Sequence, residues 1–316
     1  LLLYKTCNPL IARLNEMIAA GKLSLQPLTL SLILPAGVSF YFFQSMGYLI
    51  DVYRGKSKAE HHFGYYALFV SFFPQLLAGP IGRADSLLPQ YKKERPFVYD
   101  NVTYGLKLMV WGYFKKLVIA DVFAGTVNDV YNNAQSYVGL AFIVATLMFA
   151  VEIYCDFSGY SDIAIGCARL FGIDLMTNFK SPYFSFSIRE FWSRWHISLS
   201  TWFRDYVYIP LGGNRVAKWR HCLNLLITFL VSGFWHGSSL TFILWGGIHG
   251  LLQVIETLLF PKKRKGVEIK RRKHWWQLPI TFLLLCFTWI FFRANSMEDA
   301  VWILSRLFWD IERPLN

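Results

Sequence analysis

Two histidines, each directly behind a tryptophan, are the side chains in this sequence best suited to proton-transfer chemistry: His196 in SRWHIS and His236 in GFWHG. A neutral imidazole, with an ordinary pKa of about 6.5, can take a proton near neutral pH and hand it on. Their settings differ. His196 lies among aromatics with Arg189, Arg194, Arg204 and Asp205, a membrane-edge composition, whereas His236 follows the apolar run Leu223 to Trp235. An ionisable group that deep in apolar sequence is either functional or a hydrogen-bonded packing residue at the end of a span, and its setting alone leaves both readings open. Gly233 and Gly237 flank it, with Ser232, Ser238 and Ser239 close by, so a helix can end there or another backbone can approach. A third histidine, His249 in LWGGIHGLLQ, has no serine cluster beside it; packing between close helices at Gly246, Gly247 and Gly250 explains it better.

The elements that must position these groups are membrane helices. Of 316 residues, 54% are hydrophobic and 18% aromatic against 16% charged, far from the balance of a soluble domain. The net charge of +12 does not point to nucleic acid, because the basic residues gather in short loops between apolar runs, as the positive-inside rule requires. The densest cluster, Lys262 to Lys273, holds eight Lys/Arg against one Glu and is expected to face the cytoplasm together with Arg215 to Arg220. The five cysteines show no CxxC spacing, so neither a disulfide framework nor a zinc site is expected.

Along the chain, Leu1 to Ile18 reads as the end of a span or a surface helix. Leu23 to Ile50 is broken by Pro27, Pro35 and Gly37, which predicts a kinked or re-entrant helix. Phe63 to Ala78 reads as a span or half-span before the turn Gly79-Pro80. Val102 to Phe123 is apolar apart from Lys107, Lys115 and Lys116, expected to snorkel toward one interface. A crossing over Tyr137 to Tyr154 leads into Glu152 to Gly172, where Asp156 or Ser158 suits a helix cap and the remaining polar groups an interior network. Thr177 to Lys218 contains no uncharged stretch of spanning length and reads as short amphipathic helices at the membrane edge. Leu223 to Phe260 goes out and returns as two crossings, with His236 toward the far end or, on a shorter broken arm, nearer the midplane. Trp275 to Phe292 is a further span, and Val301 to Phe308 begins a partial one.

The motifs RWHISLSTWFRDYVYIPLGGNR at 194 to 215 and GFWHG at 233 to 237, preceded by VSFYFFQ at 38 to 44, YLIDVYRGK at 48 to 56, LAGPI at 77 to 81 and DFSGYSDIAIG at 156 to 166, resemble the membrane-bound O-acyltransferases, in particular the bacterial alginate O-acetyltransferase branch. The resemblance runs across nearly the whole chain. It implies an all-α, polytopic transmembrane bundle of tilted and broken helices around a central cavity, multi-pass in the bacterial inner membrane. It also implies that residues 1 to 316 form a single domain, a fragment lacking segments at both ends. In the family the histidine of the WHG motif is regarded as catalytic, which carries that role onto His236; the other motif histidine corresponds to His196.

On that footing His236 is the expected general base, and His196 orients substrate or hydrogen-bonds the thioester carbonyl as the oxyanion forms. The resemblance implies a cytoplasmic thioester such as acetyl-CoA as donor, with no bound cofactor and no metal. Arg189, Arg194, Arg204, Arg215, Lys218 and Arg220 suit its phosphates, although topology alone explains any one of them. The candidate substrate-binding residues are Arg194, Trp195, Arg204, Asp205, Asn214 and Trp235. The acceptor is a polysaccharide hydroxyl beyond the membrane or a partner that relays the acetyl group to it. Two other classes fit the same features: a transporter of an acyl group or lipid, and a membrane scaffold for a periplasmic acetyltransferase.

Overall fold

Segments this apolar leave backbone N–H and C=O groups without water, and a helix satisfies them within one segment. In the computed structural model, which describes residues 2–20, 22, 37–260 and 274–308, all regular structure among the described residues is helical. Helix α1 (Leu2–Ala19) stands first; residues 23–36, where the kink was expected, lie outside the described residues, and α2 (Val38–Tyr53) runs unbroken. The aromatic run after it forms α3 (Phe63–Ser71) and α4 (Phe73–Leu76), each too short to cross. Residues 77–83 then lead to α5 (Ala84–Tyr91), so of the two readings the half-span is the one that forms.

The next three helices make one unit. α6 (Tyr99–Tyr113) passes through a π-helical stretch, Phe114–Ala120, into α7 (Asp121–Asn132), and both lie against α8 (Leu140–Leu170). Glycine permits the approach: a Cβ on Gly112 would sit 2.6 Å from the Gly159 carbonyl oxygen, and one on Gly105 2.6 Å from that of Gly166. Lys115 and Lys116 do not snorkel. Lys115 Nζ is 2.6 Å from Asp162 and donates to Ser158 Oγ at 2.9 Å, while Lys116 Nζ lies 2.6 Å from Asp156 and 2.7 Å from Asp121. The reason is proximity, because carboxylates on the neighbouring helix satisfy the ammonium groups at lower cost than stretching to an interface. No cap forms at Asp156 or Ser158 either, since α8 is continuous for 31 residues; both residues serve the interior network instead.

The membrane-edge segment folds as α9 (Ile188–Arg194), α10 (Ile197–Phe203) and a π-helical continuation, Arg204–Tyr208. The reversal expected of the following run forms: α11 (Lys218–His236) and α12 (Leu240–Leu259) make a hairpin whose turn contains Gly237. Here too glycines meet, and a Cβ on Gly246 would lie 3.0 Å from Gly233 Cα. The basic cluster at 262–273 lies outside the described residues. α13 (Gln277–Arg293) and α14 (Met297–Arg306) follow, the latter capped by Ser296, whose Oγ accepts from the Asp299 amide at 3.0 Å. By length and composition α8 and α12 can each cross a membrane, and α13 is a shorter apolar helix. The largest core cluster joins α7, α8, α9, α12, α13 and α14 around Trp195, Trp245 and Trp289. Lipid is as apolar as these rings, so close packing rather than water exclusion holds them together.

Candidate active site

His236 is the last residue of α11. The face of α11 that leads to it carries Lys218, His221, Leu225, Thr228 and Ser232, and all of these line a cavity of about 670 Å³. Their spacing of three and four is that of one helical face, and His236, four residues past Ser232, continues the same face by one turn. From Lys218 to His236 the helix rises about 27 Å. Gln253 and Thr257 of α12 and Trp192, Ile197 and Ser200 of α9 and α10 complete the wall, and Tyr208 with the exposed Arg204, Asn214 and Lys218 forms its mouth. The lining is thus cationic and polar at the mouth, with Trp192 and Phe229 as aromatic wall.

His196 sits at the junction of α9 and α10 with φ 41° and ψ 54°, one of two non-glycine residues with positive φ among the described residues. That conformation is disfavoured for a side chain of this size and persists only where the surroundings impose it. Asn178 imposes it. Fully buried, it accepts the Ile197 amide at its carbonyl (2.9 Å) and the Ser198 amide at Oδ1 (3.1 Å), and its own amide donates to Ser161 Oγ at 3.2 Å. The turn directs the His196 ring against Phe157, 4.5 Å between centroids, and leaves it 6.5 Å from Trp235. The ring is 2% exposed and its Nε2 has no hydrogen-bond partner among the described residues.

Trp235 separates the two histidines, its centroid 4.6 Å from that of His236. His236 is half-buried and packs edge-on against Trp245 at 5.0 Å and Phe292 at 5.3 Å. The third histidine has a different kind of environment. His249 is wholly buried, accepts the Trp192 Nε1–H at Nδ1 over 3.2 Å, and lies edge-on to Trp245 at 5.0 Å. Nδ1 therefore serves as acceptor and the proton resides on Nε2 in the neutral ring.

The remaining predicted residues divide. Arg204 and Asn214 line the cavity mouth. Arg194, Trp195 and Asp205 are not among its lining residues. Arg194 pairs with Glu190 at 2.7 Å and donates to the carbonyls of Ser181 and Phe184, Trp195 is buried against Phe191 and Trp289, and Asp205 bridges Arg204 and Arg83 at 2.8 and 3.0 Å. Among the described residues no group of three or more His, Cys, Asp or Glu could hold a metal ion.

A model of the membrane-bound O-acyltransferase family matches residues 57–298. The chain belongs to the membrane-bound O-acyltransferase family. It is 41% identical over 310 residues to a probable alginate O-acetylase of Pseudomonas aeruginosa, covering 96% of this chain and 57% of that protein. It is 39% identical over 303 residues to a peptidoglycan O-acetyltransferase of Helicobacter pylori (88% and 57% covered) and 31% identical over 258 residues to a teichoic acid D-alanyltransferase of Streptococcus thermophilus (78% and 62%). The chain therefore spans little more than half the length of these relatives.

Three contributors escaped the sequence reading. Asn178 lies in TNFKSP with no motif to mark it. Glu256, mostly buried near the end of α12, accepts the Arg189 amide at 3.0 Å and lies 4.0 Å from its guanidinium; a lone carboxylate at the end of an apolar run was a usable signal. Phe43 of α2 packs on Trp202 at 4.3 Å and on Trp235 at 5.2 Å, a contact across 159 and 192 residues of sequence that spacing alone does not reveal.

Proposed function

We propose that this chain is the acyl-transfer core of a multi-pass O-acyltransferase of the bacterial inner membrane, folded as one transmembrane domain around its cavity. It moves an acetyl group from a cytoplasmic thioester such as acetyl-CoA toward a polysaccharide hydroxyl, or a relay partner, on the other side. The observation that carries this reading is the run of cavity-lining residues on α11 that stops one turn short of His236. Donor phosphates meet Arg204 and Lys218 at the mouth, and the acyl-bearing arm follows the aromatic wall inward.

His236 takes the proton of the acceptor hydroxyl as its oxygen attacks the thioester carbonyl. The C–S bond then breaks and the proton passes to the departing thiolate, so proton and electron pair are both accounted for. His196, with a buried Nε2 that bonds to no described residue, supplies a hydrogen bond to the developing oxyanion, an interaction that contributes a few kcal/mol in a water-excluded site. The two related activities named for the relatives, acetyl and D-alanyl transfer, both deliver a small acyl group, which suits a short path beyond the aromatic wall.

The test is transfer of radiolabel from acetyl-CoA by the full-length protein in liposomes, with alginate or peptidoglycan as acceptor. Label should appear in the acceptor with wild-type protein and not with His236→Ala. A transporter would go on moving the group after that substitution, and a scaffold would tolerate the loss of both histidines; either result would end the proposal.

A further inference from the structure

Outside the cavity lining, the neighbourhood of Phe292 carries a polar constellation that the donor path does not use. Phe292, which packs on His236, is followed at the end of α13 by Arg293. The Arg293 guanidinium donates to Asn128 Oδ1 at 2.6 Å, to Asn132 Oδ1 at 3.4 Å and to Asn295 Oδ1 at 3.3 Å, and lies 5.4 Å over the Tyr131 ring. Those bonds take up the oxygens of Asn128 and Asn132. Their amide nitrogens donate to no described residue, and both side chains are exposed.

Phe292 also packs on Phe149 at 6.5 Å, and Glu152 of α8 lies one turn beyond Phe149. Glu152 and Arg293 attract each other electrostatically without closing into an ion pair, and Glu152 Oε2 is buried with no hydrogen-bond partner among the described residues. Lys116, whose charge also acts on Glu152, is already held by Asp121 and Asp156.

We propose that Glu152, Arg293, Asn128 and Asn132, none of which lines the cavity, form the acceptor subsite, which holds a carbohydrate. The inference rests on the acyltransferase reading above. The chemistry selects the ligand. A sugar hydroxyl donates and accepts at once, so vicinal hydroxyls satisfy a carboxylate and a set of guanidinium and amide donors together. A phosphate would be repelled by Glu152, and an acyl chain would leave the buried carboxylate oxygen unsatisfied. A strut tying α7 to α13 would explain the Arg293–asparagine bonds and not the partnerless oxygen of Glu152.

Binding can be read without turnover. Short alginate oligosaccharides and peptidoglycan fragments are titrated onto the full-length His236→Ala protein in nanodiscs, followed by saturation-transfer NMR, with acetyl-CoA titrated in parallel. At least one of the two carbohydrates should bind. Adding Glu152→Gln or Arg293→Gln should weaken it about tenfold or more, the loss expected for a hydrogen bond to a charged group, with acetyl-CoA affinity within about twofold. The subsite is overturned if neither carbohydrate binds, if both variants keep the parent affinity, or if donor affinity falls in step, which would mark a strut. Carbohydrate binding that persists when acetyl transfer fails in the wild type would count against the transferase reading and not against the subsite.

Discussion

The α6–α8 pair and the α11–α12 hairpin solve one packing problem and put it to different uses. Both bring helices together through facing glycines, Gly112 with Gly159 in the first and Gly233 with Gly246 in the second. The first then fills the contact with ion pairs, Lys115 with Asp162 and Lys116 with Asp156. The second carries no acidic or basic side chain from Cys222 to Ile255 other than its histidines and opens along one face into the cavity. Charges that neutralise each other rigidify a wall, whereas the hairpin between Cys222 and Ile255 sets its imidazoles in apolar surroundings with no carboxylate from the same stretch to neutralise them. The comparison predicts that substitution of His236, at the hairpin turn, affects chemistry and that substitutions in the α6–α8 pair affect folding.

The largest effect is expected at His236. His236→Ala should lower the transfer rate by about 10² to 10⁴-fold, the range for loss of a general base, while thermal unfolding in detergent stays close to wild type because the side chain is only half-buried. His249→Ala should act the other way round. It removes a fully buried ring and the acceptor of the Trp192 indole N–H, so stability should fall by roughly 2 to 4 kcal/mol. If His249→Ala were as inactive as His236→Ala yet equally stable, His249 would belong to the chemistry and the division between the two would fail.

On the structural side, Lys115→Met should destabilise by about 3 to 5 kcal/mol, because it leaves Asp162 unpaired at a buried contact. Combining it with Asp162→Leu should recover most of that loss, since two apolar groups replace the pair. The readout is the unfolding midpoint of each variant in the same detergent. A single substitution without effect would mean that water already reaches Asp162 and that the pair is not part of the wall. Gly112→Ala comes next in size, about 1 to 3 kcal/mol from overpacking against the Gly159 carbonyl.

What the sequence made legible follows the range of each signal. The α11–α12 reversal is a local property of apolar runs and a polar interruption, and it stands in the structure as read. The two motif histidines were also visible, His236 because an imidazole in apolar sequence is costly enough to notice and His196 because it repeats the Trp-His pairing. The fates of Lys115, Asp156 and Ser158 were not, since each is decided by a partner about 40 residues away: a cap and an interhelical bond look the same until the neighbouring helix is known. The π-helical stretch at Phe114–Ala120 has no propensity signature, and Asn178 shapes the His196 turn through backbone amides that any sequence supplies.

The smallest effect is the sharpest test of the cavity mouth. From sequence Arg194 and Arg204 were equivalent candidates for the donor phosphates, and the structure separates them. Arg204 is 59% exposed in its side chain and lines the cavity mouth, with only its neighbour Asp205 as ionic partner among the described residues. Arg194 is 28% exposed, paired with Glu190 one turn away and bound to two backbone carbonyls of the preceding loop. Arg204→Gln should therefore raise the KM for acetyl-CoA about three- to tenfold with kcat little changed, the signature of an interaction made equally in the ground and transition states. Arg194→Gln should leave that KM within twofold and lower the unfolding midpoint instead, because the carbonyls of Ser181 and Phe184 lose their donor. The donor-site effect should also weaken as salt is raised, since the mouth is open to solvent. If both variants shifted KM equally, the donor would reach past the mouth to α9; if neither did, the cations at this end would serve topology alone.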